Sequence, residues 1–321
     1  MAGNTTKTQI SNINSFYSRD LLLRVQPLLV HNKFGMVKDI PMGNSDIIKF
    51  RRYANLTAAT TPLVEGVTPA GSQLSKTDVS ATLNWYGDFV TLTDKLTMET
   101  EDPVRMEAND VLADQAGDTI DQIVRDVLAA TTSVIYAGSG NTQTSEVAAG
   151  DVITSANVDT AEETLKASKA RFMTNYVDPS TGIATIPLPP CFIGICHVYT
   201  TKTIRAFTGF TKVELYAQPG ARMEGEIGKY GNTRFIETVN AKVYTGAGTS
   251  SIDVYATIIL AKYAYGVTRM SGRALQNIVK PLGSAGSSDP LDQRETSGWK
   301  ASLTAVILND AFMSKIEHAR V

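Results

Sequence analysis

The sequence predicts an α+β protein, and three observations carry that prediction. Segments alternating apolar and polar residues with period two recur from residue 46 to the C-terminal region. One segment, residues 101–130, carries its apolar residues at three- and four-residue steps instead. Strands and helices follow one another in mixed order, with no strand–helix–strand repeat and no internal repeat of any other kind. The 321 residues are 43% hydrophobic and 19% charged, which suits one large domain or two of ordinary size.

The first twenty residues are rich in Asn, Thr and Ser and read as an extended arm. "LLLRVQPLLV" (21–30) is apolar with a short helical period that Pro27 interrupts. It fits either a docking segment or an edge element of the core. "DIIKFRRY" (46–53) alternates as a strand, with Ile48 and Phe50 on one face and Lys49 and Arg51 on the other; Arg52 breaks the pattern. "VSATLNWYGDFVTL" (79–92) alternates again through Val79, Ala81, Leu83 and Trp85, then slips phase to Val90 and Leu92. That slip places a bulge at Gly87. Between these strands lies "ATTPLVEGVTPAGSQLS" (59–75), polar, with two prolines and two glycines. So long a connection inside a compact domain is a lid, a binding loop or a linker. Two strands flanking it make a hairpin, and eight paired residues would project about 26 Å.

"EDPVRMEANDVLADQAGDTIDQIVRDVLAA" (101–130) opens with Asp102 as N-cap and Pro103 at the first helical position. Val111, Leu112, Ala116, Ile120, Ile123, Val124, Val127 and Leu128 form its apolar stripe, and Asp114, Asp118, Asp121 and Arg125 its polar face. At about 1.5 Å per residue the helix is about 42 Å long, a spine rather than an ordinary helix. The Gly/Ser/Thr-rich 137–151 stretch is a candidate domain boundary. A second helix is expected from residue 156, a buried strand over 191–199 and a short helix over 201–207. Further strands are expected over 233–244, 252–267 and 298–317, the last alternating at Trp299, Ala301, Leu303 and Ala305.

Thirty Lys and Arg against 32 Asp and Glu leave a net charge of −2, which argues against a free-standing nucleic-acid binder with its usual basic stripe. Cys191 and Cys196, five apart in "CFIGIC", fall on opposite faces of a strand and read as two buried thiols rather than a disulfide or metal pair. The N-terminus lacks the pattern of a secretory signal, and no apolar run reaches the length of a membrane span, so synthesis and assembly in the cytoplasm are expected, with no membrane partner. No nucleophile elbow, zincin motif or phosphate loop is present. "GEIGKYGNTRF" (225–235) comes nearest to a phosphate loop. Met223 replaces its first glycine and Tyr230 its metal-binding hydroxyl, so it reads as turns leading into a strand. His31, His197 and His318 are scattered, with no local Asp–His spacing that suggests a triad or metal site. No catalytic residue, metal or cofactor is expected. The basic cluster Lys49, Arg51 and Arg52 fits contact with nucleic acid or a charged hairpin arm pairing with a neighbour, and Glu65 gives that arm both signs.

Five blocks, "TTPLVEGVTPAG", "YGDFVTLTDKL", "GEIGKYGNTRFIET", "DVYATIILAKYAYGV" and "IVKPLGSAGSSDPLDQRETSGWKA", resemble the major capsid proteins of tailed bacteriophages related to phage N-four. The similarity runs in order from about Phe16 to Glu317. This family is similar to the Hong Kong 97-type capsid fold. The resemblance implies an N-terminal arm (1–44), an extended hairpin loop (45–95), a peripheral domain with the spine helix (96–150 and 251–321) and an axial domain (151–250). It also implies a virion protein that self-assembles into pentamers and hexamers of an icosahedral shell around double-stranded DNA. Its partners would be neighbouring capsomers, a portal, scaffold or decoration proteins, and packaged DNA held without sequence preference. Contacts between subunits would come from Lys49, Arg51, Arg52, Pro62, Glu65, Pro69 and Lys76 in the hairpin loop and from Phe16, Tyr17 and Arg19 in the arm. Alternatives from other classes are an enzyme with residues 58–75 as a lid, or a decoration or DNA-binding protein.

Overall fold

The structure is a computed structural model that describes residues 29–43, 45–54, 56–63, 65–68, 70–99, 104–173, 190–215, 223–284 and 289–320. Phe16, Tyr17, Arg19, Pro69 and the expected helix start at Asp102 and Pro103 lie outside the described residues. Among the described residues the strands form a five-stranded sheet, an eight-stranded sheet and a separate two-stranded ribbon.

The five-stranded sheet is organised by β14 (Arg294–Ile307). Over residues 294–303 it pairs with β4 (Asn84–Thr93), over 296–301 also with β13 (Leu275–Lys280), and over 304–307 with β12 (Tyr265–Met270). β1 (Met36–Ile40) adds in parallel to β12. The alternation expected for β14 holds, with Trp299, Ala301 and Leu303 buried in the core. Helix α1 (Asp94–Glu99) follows β4 directly.

The long helix, α2 (Val104–Ala129), has 26 described residues and runs for about 39 Å. Leu112, Ala116, Ile120, Val124 and Leu128 lie buried in one cluster with Trp299, Ala301 and Leu303 of the smaller sheet and Ile195, Ile236 and Ile258 of the larger one. The helix therefore spans both sheets. Two positions differ from the expected faces: Val111 is 65% exposed, and Asp121 is wholly buried. The reason is geometric. Asp121 stands four residues after buried Gly117 and three before Val124, on the inward stripe, whereas Val111 lies beside Asp110 on the exposed side.

The larger sheet runs β5 (Val134–Tyr136), β15 (Met313–His318), β11 (Val254–Leu260), β6 (Phe192–His197), β9 (Thr233–Thr238), β8 (Glu226–Tyr230) and β7 (Thr211–Lys212), with β10 (Val243–Tyr244) beside β11. Both its faces are covered. Ile193 and Ile195 join the α2 cluster, while Phe192 and Cys196 point the other way, to Val158, Ala161 and Leu165 of α3 (Ser155–Ala167) and Ile204 of α4 (Thr201–Arg205). A capping box between Thr154 and Asn157 starts α3. Cys191 and Cys196 are buried in opposite clusters, as the period-two reading requires. Burial pushes the Cys191 thiol up to about 11 and the Cys196 thiol up to about 12, so both stay protonated. A thiol-reactive dye should label neither cysteine in the native protein and both after unfolding, counted by mass spectrometry. Rapid native labelling of Cys196 would mean that this face of the sheet is open.

Several expected elements are corrected. The run 252–267 is two strands in different sheets, parted at residues 261–264, where Tyr263 takes a positive φ of 65°. The run 298–317 is likewise β14 and β15, parted at 308–312. These two crossings lie side by side: Ala261 N–H donates to the Phe312 carbonyl at 2.9 Å, and Leu308 and Asn309 both donate to Ala264 at 2.9 and 3.1 Å. The residues 225–235 are a strand–turn–strand hairpin of β8 and β9, turning through Gly231 at φ 56°, rather than turns leading into one strand. Strand membership also crosses position 250, because β11 and β15 belong to the larger sheet together with β6 and β9.

Gly87 is not a bulge. The β4–β14 register is unbroken from Asn84↔Leu303 to Thr93↔Arg294. The phase slip comes instead from a change of partner at Leu83, where the chain leaves a ribbon and joins β14. Gly87 is needed for close approach, since a Cβ there would lie 2.6 Å from the Trp299 carbonyl oxygen.

Candidate assembly surfaces

The expected hairpin is present. β2 (Ile47–Tyr53) and β3 (Lys76–Thr82) pair antiparallel in an unbroken register from Ile47↔Thr82 to Tyr53↔Lys76, and the Ala54 N–H extends the ladder to the Ser75 carbonyl at 2.9 Å. Its base is anchored. Phe50 is buried over Gly266 of β12, where any Cβ would come within 2.9 Å of the ring, and Leu83 N–H donates to the Asp46 carbonyl at 2.8 Å. Beyond the base no described residue of the hairpin is buried. Every described residue from Leu56 to Thr77 is exposed, including Leu63 at 78% and Leu74 at 71%. The tip therefore has no core of its own, and four large apolar side chains, Leu56, Leu63, Val67 and Leu74, face solvent.

The charged residues expected to make contacts divide in two. Arg51 is engaged within the chain: its Nε lies 2.9 Å from Asp78 Oδ1 across the ribbon. The Asp78 hydrogen bond holds the guanidinium pKa above its usual value, and Arg51 in turn holds the Asp78 carboxyl below its own. Lys49, Arg52 and Lys76, opposite Ser80, Thr77 and Tyr53, are exposed, as are Pro62 and Glu65 at the tip. Substituting Arg51 with alanine should leave the thermal midpoint of the subunit within error of wild type, because an exposed pair gains little over water.

A second surface was not legible in the sequence. On β14, Trp299 faces α2 and its Nε1–H donates to Gln115 at 3.1 Å, so Gly298 and Lys300 face away from the helix. Gly87 and Phe89 of β4 and Ile278 of β13, which pair with them, share that outer face. The result is a groove of about 790 Å³ with a floor of two glycines and walls of Trp85, Phe89 and Ile278. Lys300 Nζ sits 4.5 Å from the Trp85 ring centroid, and Lys280 and Arg294 also line the groove. None of the described residues of 58–75 lines it.

The three histidines are each held in contacts within the fold. His31 lies against Asp121, 90 positions away, with Nδ1 2.8 Å from Oδ2; both are wholly buried and neither reaches the groove. His197 Nδ1 accepts from the Tyr199 N–H, and His318 Nε2 lies 2.9 Å from Thr257 Oγ1. Among the described residues no group of three or more His, Cys, Asp or Glu is placed to hold a metal, and no helix is long and apolar enough to cross a membrane.

No protein-family model matches the sequence, and no curated protein matches it. Likeness to known proteins is carried by the fold. The capsid of cyanophage Pam1 superposes with a TM-score of 0.65 at 14% identity, covering 92% of this chain and 92% of that one. The capsid of Ralstonia phage GP4 gives 0.64 at 13%, covering 89% and 87%. The head of Helicobacter pylori bacteriophage KHP40 gives 0.61 at 13%, again covering 89% and 87%. These matches cover about nine-tenths of the chain, and its fold is that of bacteriophage capsid proteins.

Proposed function

We propose that the chain is a major capsid protein of the Hong Kong 97 type, which assembles into pentamers and hexamers of an icosahedral shell around double-stranded DNA. One observation carries the reading beyond the fold: a hairpin with an anchored base and a tip that exposes apolar residues without a core. Such a tip gains its burial from another molecule. In this reading α2 and the five-stranded sheet make the peripheral domain, the eight-stranded sheet makes most of the axial domain, and the hairpin crosses to the next copy. Its exposed Lys49, Arg52, Pro62, Glu65 and Lys76 would touch that copy, as would Pro69 of the tip and Phe16, Tyr17 and Arg19 of the arm. The outer groove, apolar and rimmed by Lys280, Arg294 and Lys300, complements a tip bearing leucines and Glu65. Portal, scaffold or decoration proteins would join during assembly in the host cytoplasm, and DNA would be enclosed without sequence readout.

Electron microscopy of the purified chain tests this. The full chain should yield closed particles or capsomers. Deleting residues 61–72 should abolish them while circular dichroism and the unfolding transition of the subunit stay as in wild type. A monodisperse monomer under all assembly conditions would count against the shell reading, and normal particles from the deletion would count against the role given to the hairpin.

A further inference from the structure

The chain between its first 28 residues and the hairpin is held in an unusual way. At its start, the backbone N–H of His31 donates to Asp121 Oδ1 at 2.7 Å, and the ring Nδ1 lies 2.8 Å from Oδ2 of the same carboxylate. The Tyr265 hydroxyl donates to the His31 carbonyl. Gly35 then passes close to the Tyr265 ring, where a Cβ would lie 2.6 Å from Cε2. From Met36 to Ile40 the chain runs along β12, but Ile40 alone is buried there; Met36, Val37, Lys38 and Asp39 are exposed. Side-chain burial therefore holds this strand weakly, and the buried His31–Asp121 contact holds its beginning strongly.

The same short stretch of β12 supports the hairpin. Tyr265 carries the strap, and Gly266, next to it, receives Phe50 from the hairpin base. We infer that residues 29–40 are a strap buttoned to the long helix by His31 and Asp121, and that this button couples the N-terminal segment to the hairpin, so that releasing one loosens the other. Asp121 sits in the middle of α2 with no apolar role of its own, and its carboxylate is committed to the strap at both oxygens. The inference does not depend on shell assembly.

Amide hydrogen exchange with mass spectrometry on the unassembled full chain tests it. Asp121→Asn should raise exchange at least tenfold in residues 36–40 and also in 47–53 and 76–82, while 254–260 and 313–318 keep wild-type protection. His31→Gln retains the backbone N–H to Asp121 and loses only the ring contact, so it should raise exchange in the same segments by a smaller factor. A strap that loosens while the hairpin keeps its wild-type exchange would overturn the coupling. Unchanged exchange in both segments, or an equal rise across the whole chain in both variants, would overturn the button itself.

Discussion

Replacing Arg234 with leucine should cost the subunit about 3–5 kcal/mol of stability, the range for breaking a buried ion pair by removing one partner. Arg234 on β9 and Glu226 on β8 meet as a fork, Nε to Oε1 at 2.6 Å and Nη2 to Oε2 at 2.6 Å. Their side chains are 5% and 0% exposed. Glu226 also accepts the Met223 N–H at 2.9 Å, so removing the guanidinium strands a carboxylate that water cannot reach. Glu226→Gln should be damaging for the mirrored reason. The double variant Arg234→Leu, Glu226→Leu should recover most of the loss, because neither charge then has to be desolvated. Urea unfolding of unassembled subunits measures all three. Single variants as stable as wild type would mean that the pair is hydrated in solution.

The second large effect is on acid stability. His318 is buried between the Thr257 hydroxyl and the Ala319 carbonyl, and burial pulls its pKa down to about 4. The unfolded chain takes up that proton from about pH 6.5 downward, while the folded chain does so only near pH 4. Between those values the unfolded state binds more protons, so stability falls with pH and levels off below about 4. The difference corresponds to something on the order of 3 kcal/mol at full protonation. His197, also depressed by burial, acts in the same direction. His318→Gln keeps an amide for Thr257 and removes the titration. Its unfolding midpoint should drop less than that of wild type between pH 7 and pH 4.5. Equal drops in the two proteins would show that other groups, not His318, set the acid limit.

Period and local chemistry were enough to read the elements whose partners do not matter to the pattern. Cys191 and Cys196 fall on opposite faces because five residues along any strand reverse the side chain. The stripe of α2 was visible for the same kind of reason. Asp121 was misread because a carboxylate on a helix says nothing of a histidine 90 residues away that will satisfy it. The runs 252–267 and 298–317 looked continuous because alternation records burial and not which sheet supplies it. Gly87 was assigned a bulge when its task is to let two backbones approach. Gly87, Phe89 and Trp85 share one parity on β4, and that was the signal for the outer groove; only the β14 register shows that the parity faces away from the helix. The hairpin and its polar tip were legible, and the described residues of the tip are exposed rather than folded against their own subunit.

The two neighbouring crossings between the sheets have a mechanical consequence. A single covalent joint would let the sheets hinge about it. Two joints, stitched to each other through Ala261, Ala264, Leu308 and Phe312 and splinted by α2, remove that freedom. The body of the subunit is then a rigid tile. Any closed surface that needs the tiles to meet at more than one dihedral angle must take up the difference outside the tile, and the hairpin beyond its anchored base, where every described residue from Leu56 to Thr77 is exposed, is the part of this chain that no packing holds to the tile.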